Sequence, residues 1–236
     1  MLNVLTHGDP SLPKLLIVHG LFGSGRNWGV IAKRLSDRFH VIAPDMRNHG
    51  DSFWADSHAY ADLAADLAGL LDGPTDVIGH SMGGKAAMVL ALEKPSLVNR
   101  LIVADIAPVG YSHTQTHNID AMKAVDLRAV TRRSEARALL QVDEEVRDFL
   151  LQSLDVAGQR WKLNLDALSA EMPKIIGFPE VSGAFDGPAL FLSGATSEYV
   201  QPEHRPQIKA LFPQAKFAKI PGAGHWLHAE KPREFE

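Results

Sequence analysis

The segment Gly79-His80-Ser81-Met82-Gly83 sets a serine between two glycines two positions away on either side. A serine hydroxyl is a poor nucleophile near neutral pH. It needs a general base, and a histidine base needs a third group to hold its tautomer. Of eleven histidines, His225 suits the role: it stands in Gly222-Ala223-Gly224-His225-Trp226, a glycine-flanked loop after the last readable strand. His80 and His228 read as structural or pocket-lining. Attack on a carbonyl places negative charge on its oxygen, which two preorganised N–H donors must meet. The amide of Met82, at the start of a helix, is one. The second is the amide of Leu21, in the loop His19-Gly20-Leu21-Phe22-Gly23, where glycines permit close approach. Phe22, Tyr199 and Trp226 are the expected substrate contacts.

These residues need a scaffold. Leu15–Gly20 is a continuous branched apolar run ending in glycine, the pattern of a strand buried on both faces of a parallel sheet. Runs at His40–Asp45, Thr75–Ser81, Arg100–Pro108 and Pro188–Gly194 repeat it, and a shorter one begins at Lys216. Helical stripes lie between them. Tyr60, Leu63, Ala64, Leu67, Leu70 and Leu71 fall at offsets 0, 3, 4, 7, 10 and 11; Trp28, Ile31 and Leu35 form a shorter stripe. Met82–Glu93 is alanine-rich and ends before Pro95, and His204–Phe212 forms a fourth. Strand alternates with helix, so the fold class is α/β, a mostly parallel sheet with helices on both faces. Gly79 to Gly83 then lies at a strand-turn-helix junction, the setting of a nucleophile elbow.

From about residue 109 to about 185 no convincing strand appears, and Leu139, Leu140, Val146, Phe149, Leu150 and Leu154 suggest two or more helices. So long an insertion is no loop. It reads as a helical cap over the carboxyl edge of the sheet, dividing the chain into a core of residues 1–108 and 186–236 and a cap of 109–185. The acid of the array is the hardest assignment. The segment after the penultimate strand reads SGATSEYV, with Ser197 where an aspartate is expected and Glu198 beside it. Asp105 ends the run LIVAD at the same sheet edge and completes the chain order Ser81, Asp105, His225. Asp105 is preferred and Glu198 is the fallback. Asp45-Met46-Arg47-Asn48-His49-Gly50-Asp51-Ser52 reads as architecture, its short polar side chains capping a loop.

Composition narrows the partners. The chain has 236 residues, 45% hydrophobic and 22% charged, which sets disorder aside and allows a substantial core. A net charge of −4 without like-charge runs gives no footprint for nucleic acid or an anionic membrane. No cysteine is present, so disulfides, thiolate metal sites and a cysteine nucleophile drop out. The histidines lack metal-ligand spacing and no G-x-G-x-x-G follows a strand, so neither a metal nor a cofactor is expected. No apolar window reaches membrane-spanning length, and no export segment precedes Leu15, so a cytoplasmic location is expected. The expected partner is a small neutral or weakly charged molecule.

The pieces HGLFGSGRNW, DMRNHGDS, GHSMGGKAAM, VADIAPV, RWKLNLDAL, FLSGATSEYV and IPGAGHWLHAEKP, spread over nearly the whole chain, resemble the α/β-hydrolase superfamily. More narrowly they resemble the YbfF-like bacterial esterases and their eukaryotic abhydrolase-domain relatives. The resemblance implies a serine carboxylesterase acting on short- to medium-chain esters, some members also cleaving acyl thioesters, without a cofactor. It places the acid in the D-I-A-P-V segment, favouring Asp105. That family continues into a terminal helix after H-A-E-K-P, whereas this sequence stops at Glu236, within the expected first turn. The same residues would serve perhydrolysis or C–C bond hydrolysis, and a non-catalytic ligand receptor on a hydrolase scaffold is a rival of another class.

Overall fold

A computed structural model describes residues 1–236. Seven strands form one sheet in the order β1-β3-β2-β4-β5-β8-β9. They are β1 Val4–His7, β2 Lys14–Val18, β3 His40–Pro44, β4 Thr75–His80, β5 Val98–Ala104, β8 Ala189–Gly194 and β9 Ala215–Ile220. Every neighbouring pair is parallel except β1 with β3. The α/β architecture read from the sequence is therefore present. β1 is an addition to it. Four residues of VLTH at a sheet edge, with no fully buried position, carry too little periodicity to announce a strand.

β4 is buried at all six positions because it lies at the centre of the sheet with both faces covered. The helix after it, α3 Met82–Glu93, is buried from Met82 through Leu92. Its small residues, Gly83, Gly84, Ala86, Ala87 and Ala91, let it lie against the strands. α1 Gly29–Leu35 buries Ile31, Ala32 and Leu35 in a second cluster with Leu15, Ile17, Trp28, Val41 and Ile78. α2 Tyr60–Ala68 buries Tyr60, Leu63, Ala64 and Leu67 in the main core, as its stripe predicts. α9 Arg205–Leu211 packs through Ile208, while α10 Leu227–Glu230 and α11 Pro232–Phe235 close the described chain.

Between β5 and β8 lie five short helices, α4 Thr116–Ala124, α5 Arg133–Leu139, α6 Glu144–Leu150, α7 Leu165–Ala170 and α8 Met172–Ile176. A two-strand ribbon, β6 Leu154–Asp155 with β7 Arg160–Trp161, interrupts them. Buried donors on α2 and α3 tie this segment to the core. Tyr60 Oη donates to the Ile175 carbonyl at 2.6 Å, and Lys85 Nζ donates to the carbonyls of Ile176 and Gly177 at 2.9 and 2.5 Å. Lys85 is 1% exposed, and burial pushes its ammonium down to about 7. On the other side the Gly50 amide donates to Lys162 O at 2.8 Å and the Asn164 amide to Asn48 O at 2.9 Å. No helix is long and apolar enough to cross a membrane.

Candidate active site

Ser81 occupies the turn between β4 and α3 with φ 52° and ψ −122°, a left-handed conformation that a non-glycine residue holds only when its surroundings fix it. The flanking glycines make that turn possible. A Cβ on Gly79 would stand 2.7 Å from the Gly84 Cα, and one on Gly83 would run into the carbonyl groups of Val18 and His19. These obstacles are backbone and cannot swing aside. Gly83→Ala is therefore expected to lower the thermal midpoint by roughly 6–12 °C, for a loss of about 3 kcal/mol. A calorimetric midpoint within two degrees of the parent would contradict this reading of the turn.

His225 follows β9 in a loop held from several sides. Its carbonyl accepts from His80 Nε2 at 2.8 Å, and Glu230 accepts from the amides of Gly224 and Trp226 at 2.7 and 3.2 Å. Asp105, directly after β5, is fully buried and also left-handed at φ 54°. His225 Nδ1 lies 2.7 Å from Asp105 Oδ2, and its Nε2 lies 3.1 Å from Ser81 Oγ. A carboxylate only accepts, so Nδ1 carries the hydrogen and Nε2 is left to accept from the serine. Asp105 takes two further donors, the Gly194 amide at 3.1 Å and the Ser197 hydroxyl. Ser197, standing where the sequence reading expects an aspartate, thus donates to the carboxylate that follows the neighbouring strand. Glu198 is exposed and makes no hydrogen bond to His225.

The amides of Leu21 and Met82 have no hydrogen-bond partner in the chain, whereas the Phe22 amide is taken by His49. A cavity of about 240 Å³ opens over Ser81. Leu21, Phe22, Met82, Tyr199, His225 and Trp226 all line it, and Asp105 lies behind His225. Tyr199 stacks on His225 with ring centres 4.1 Å apart, and Trp226 packs against Phe149 at 5.7 Å. The cavity wall includes no carboxylate.

Sequence reasoning missed several wall residues. His113, whose Nε2 lies 2.9 Å from the Tyr199 hydroxyl, and Gln115, Asn118, Val146 and Phe149 come from the segment between β5 and β8. The stripe at Val146, Phe149 and Leu150 was visible as a helix face, but periodicity does not say which partner that face meets. His80 and His228 also reach the cavity. Burial, reinforced by neighbouring histidines, holds His80 well below the ordinary imidazole range and His228 at about 3, so both are neutral. Nowhere do three or more His, Cys, Asp or Glu side chains converge as a metal ion would require.

Residues 13–232 match the family model described as the alpha/beta hydrolase fold. The sn-1-specific diacylglycerol lipase ABHD11 of Mus musculus is 43% identical over 98% of this chain and 81% of its own length. Esterase YbfF of Escherichia coli (strain K12) is 41% identical over 92% of this chain and 88% of its own. Among solved structures, a marine microorganism esterase superimposes with a TM-score of 0.94 at 39% identity, covering 99% of this chain and 96% of that one. The chain belongs to the α/β-hydrolase family of enzymes and, within it, to the group that includes the YbfF esterase.

Proposed function

We propose that this chain is a serine carboxylesterase that cleaves short- to medium-chain esters through an acyl-enzyme. The observation carrying the reading is the line Asp105–His225–Ser81, at 2.7 and 3.1 Å, beneath a cavity flanked by two unpartnered amides. His225 Nε2 takes the Ser81 proton as Oγ attacks the ester carbonyl. The amides of Leu21 and Met82 hold the resulting oxyanion, and Asp105 stabilises the imidazolium. As the tetrahedral intermediate collapses, the C–O bond to the alcohol breaks and His225 protonates the departing oxygen. Water then attacks the acyl-serine, gives its proton to His225, and the acid leaves as that proton returns to Ser81.

Residues 109–185 act as the cap of this site, supplying His113, Val146 and Phe149 to the wall and setting chain length. A volume of 240 Å³ falls below the ~300–1,000 Å³ of drug-sized sites and suits a modest acyl group. Relatives named esterase and diacylglycerol lipase support ester substrates. Acyl thioesters fit the same chemistry.

Hydrolysis of p-nitrophenyl esters from acetate to palmitate tests the proposal. Turnover is expected to peak at short to medium chains, and Ser81→Ala is expected to lower kcat by about 10⁴ or more. A folded wild-type chain that cleaves none of these esters would overturn it. Serine-independent turnover would move the chemistry elsewhere.

A further inference from the structure

The motif Asp45–Ser52 reads from sequence as loop architecture, and much of it is. Asp45 accepts from the Gly25 and Asp51 amides and from Asn3 Nδ2 at 2.8 to 2.9 Å. His49, however, turns the other way. It is fully buried, and its Nε2 accepts the Phe22 amide at 3.1 Å while its Nδ1 lies 3.0 Å from the carbonyl of Arg47. Carbonyls accept, so the hydrogen sits on Nδ1 and Nε2 is the free lone pair. His19 repeats the arrangement beside it. Its Nδ1 donates to Gly20 O at 2.8 Å, its Nε2 accepts the Met46 amide at 2.9 Å, and the two rings stand 5.1 Å apart.

The loop restrained in this way is the one beside Ser81. Gly20 to Gly23 form a tight turn closed by a 3.0 Å bond from the Gly23 amide to the Gly20 carbonyl. Phe22 sits in it at φ 64°, a conformation costing a non-glycine residue about 1 kcal/mol or more unless neighbours fix it. The turn presses Gly20 so close that a Cβ there would lie 3.2 Å from the Ser81 Cβ. Of its two central amides, one is bound by His49 and the other, that of Leu21, is free.

Resting on the esterase reading, we propose that His49 is a positioning residue for the oxyanion hole: its Nε2 anchors the Phe22 amide and thereby holds the turn in which the Leu21 amide stays free for the oxyanion. The same loop touches the other donor's side chain. Asn48 Nδ2 donates to His58 Nδ1 at 3.3 Å, and His58 Nε2 lies 3.3 Å from the Met82 sulfur. It also receives the inserted segment, through His49 paired with Leu163 and the Asn164 side chain donating to Asn48 Oδ1 at 3.1 Å. Asn48 and His49 therefore link the 162–164 stretch to both sides of the oxyanion site.

The test has a kinetic and a spectroscopic arm. His49→Phe, which keeps a ring and removes the acceptor, is expected to lower kcat about 10- to 100-fold, short of the ~10²–10³ lost when an oxyanion donor is deleted. KM should stay within about twofold, because the ground-state carbonyl uses the hole little. A trifluoromethyl ketone, whose hemiketal oxygen occupies the hole, should bind weaker by the same factor as kcat, and His49→Gln, which restores an acceptor, should recover most of both. Folded His49→Phe with unchanged kcat and ketone affinity would overturn the proposal. In the wild-type chain, imidazole ¹⁵N resonances should show His49 as the Nδ1–H tautomer. An Nε2–H tautomer cannot accept the Phe22 amide and would overturn it whether or not the variants fold. If the wild type neither cleaves esters nor captures the ketone at Ser81, the esterase reading fails instead.

Discussion

Asp105→Asn should leave the fold intact and lower kcat on p-nitrophenyl esters by about 10⁴, the scale seen when a triad histidine is locked in the wrong tautomer. The hydrogen bonds around the carboxylate dictate the outcome. The Gly194 amide donates to Oδ1, so an asparagine keeps its carbonyl oxygen there and turns its NH₂ toward His225 and Ser197. His225 Nδ1 must then accept, its hydrogen moves to Nε2, and that nitrogen no longer takes a proton from Ser81. KM should change little. Glu198→Gln is the companion variant: Glu198 is exposed and makes no bond to His225, so activity should be unaltered. An active Asp105→Asn together with a dead Glu198→Gln would reverse the assignment.

The second large effect is acid lability. Five histidines, His19, His49, His58, His80 and His228, are buried, and burial is the first cause that lowers each imidazole, to about 3 for His58 and His228. In the unfolded chain they titrate near 6.5. Between 6.5 and the depressed folded values the unfolded state binds more protons, so stability rises with pH and is lost as pH falls. Each such group withdraws about 1.4 kcal/mol per pH unit across that window. His58 and His228 alone, held near 3, together withdraw about 3 kcal/mol for each pH unit below 6.5, and His19, His49 and His80 act in the same direction. Urea titrations at pH 7.5, 6.5, 6.0 and 5.5 should show a midpoint nearly constant above 7 and falling steeply below 6.5. A flat midpoint down to pH 5 would mean that these imidazoles titrate normally.

Much of this molecule is written locally. The run Thr75–His80, the glycines around Ser81 and the alanine-rich helix after it are adjacent in the chain, so one stretch of sequence states strand, turn and helix together. His225 was legible because a glycine-flanked loop after the last strand leaves it at the carboxyl edge of a parallel sheet. Asp105 was harder. Its neighbours VADIAP say only that a strand ends there; its meeting with His225 depends on β5 and β8 lying side by side and on Ser197 filling the usual place of the acid. Packing between distant segments was beyond reach. Phe149 against Trp226, His113 beside Tyr199 and Lys85 beneath Ile176 are contacts across the insertion that periodicity cannot assign. His49 was hidden for another reason: one motif does two jobs, with Asp45 capping its own loop and His49 reaching the loop beside Ser81.

In the proposed mechanism Ser81, activated by His225, carries the acyl group between two half-reactions. Rapid mixing of excess p-nitrophenyl butyrate with the chain, quenched in acid and followed by peptide mass analysis, reads that transfer. The predicted result is a butyryl adduct on the peptide containing Ser81, with p-nitrophenol released ahead of or together with it, and no adduct in Ser81→Ala. Full ester turnover with Ser81 never modified, or an adduct on another side chain, would contradict it.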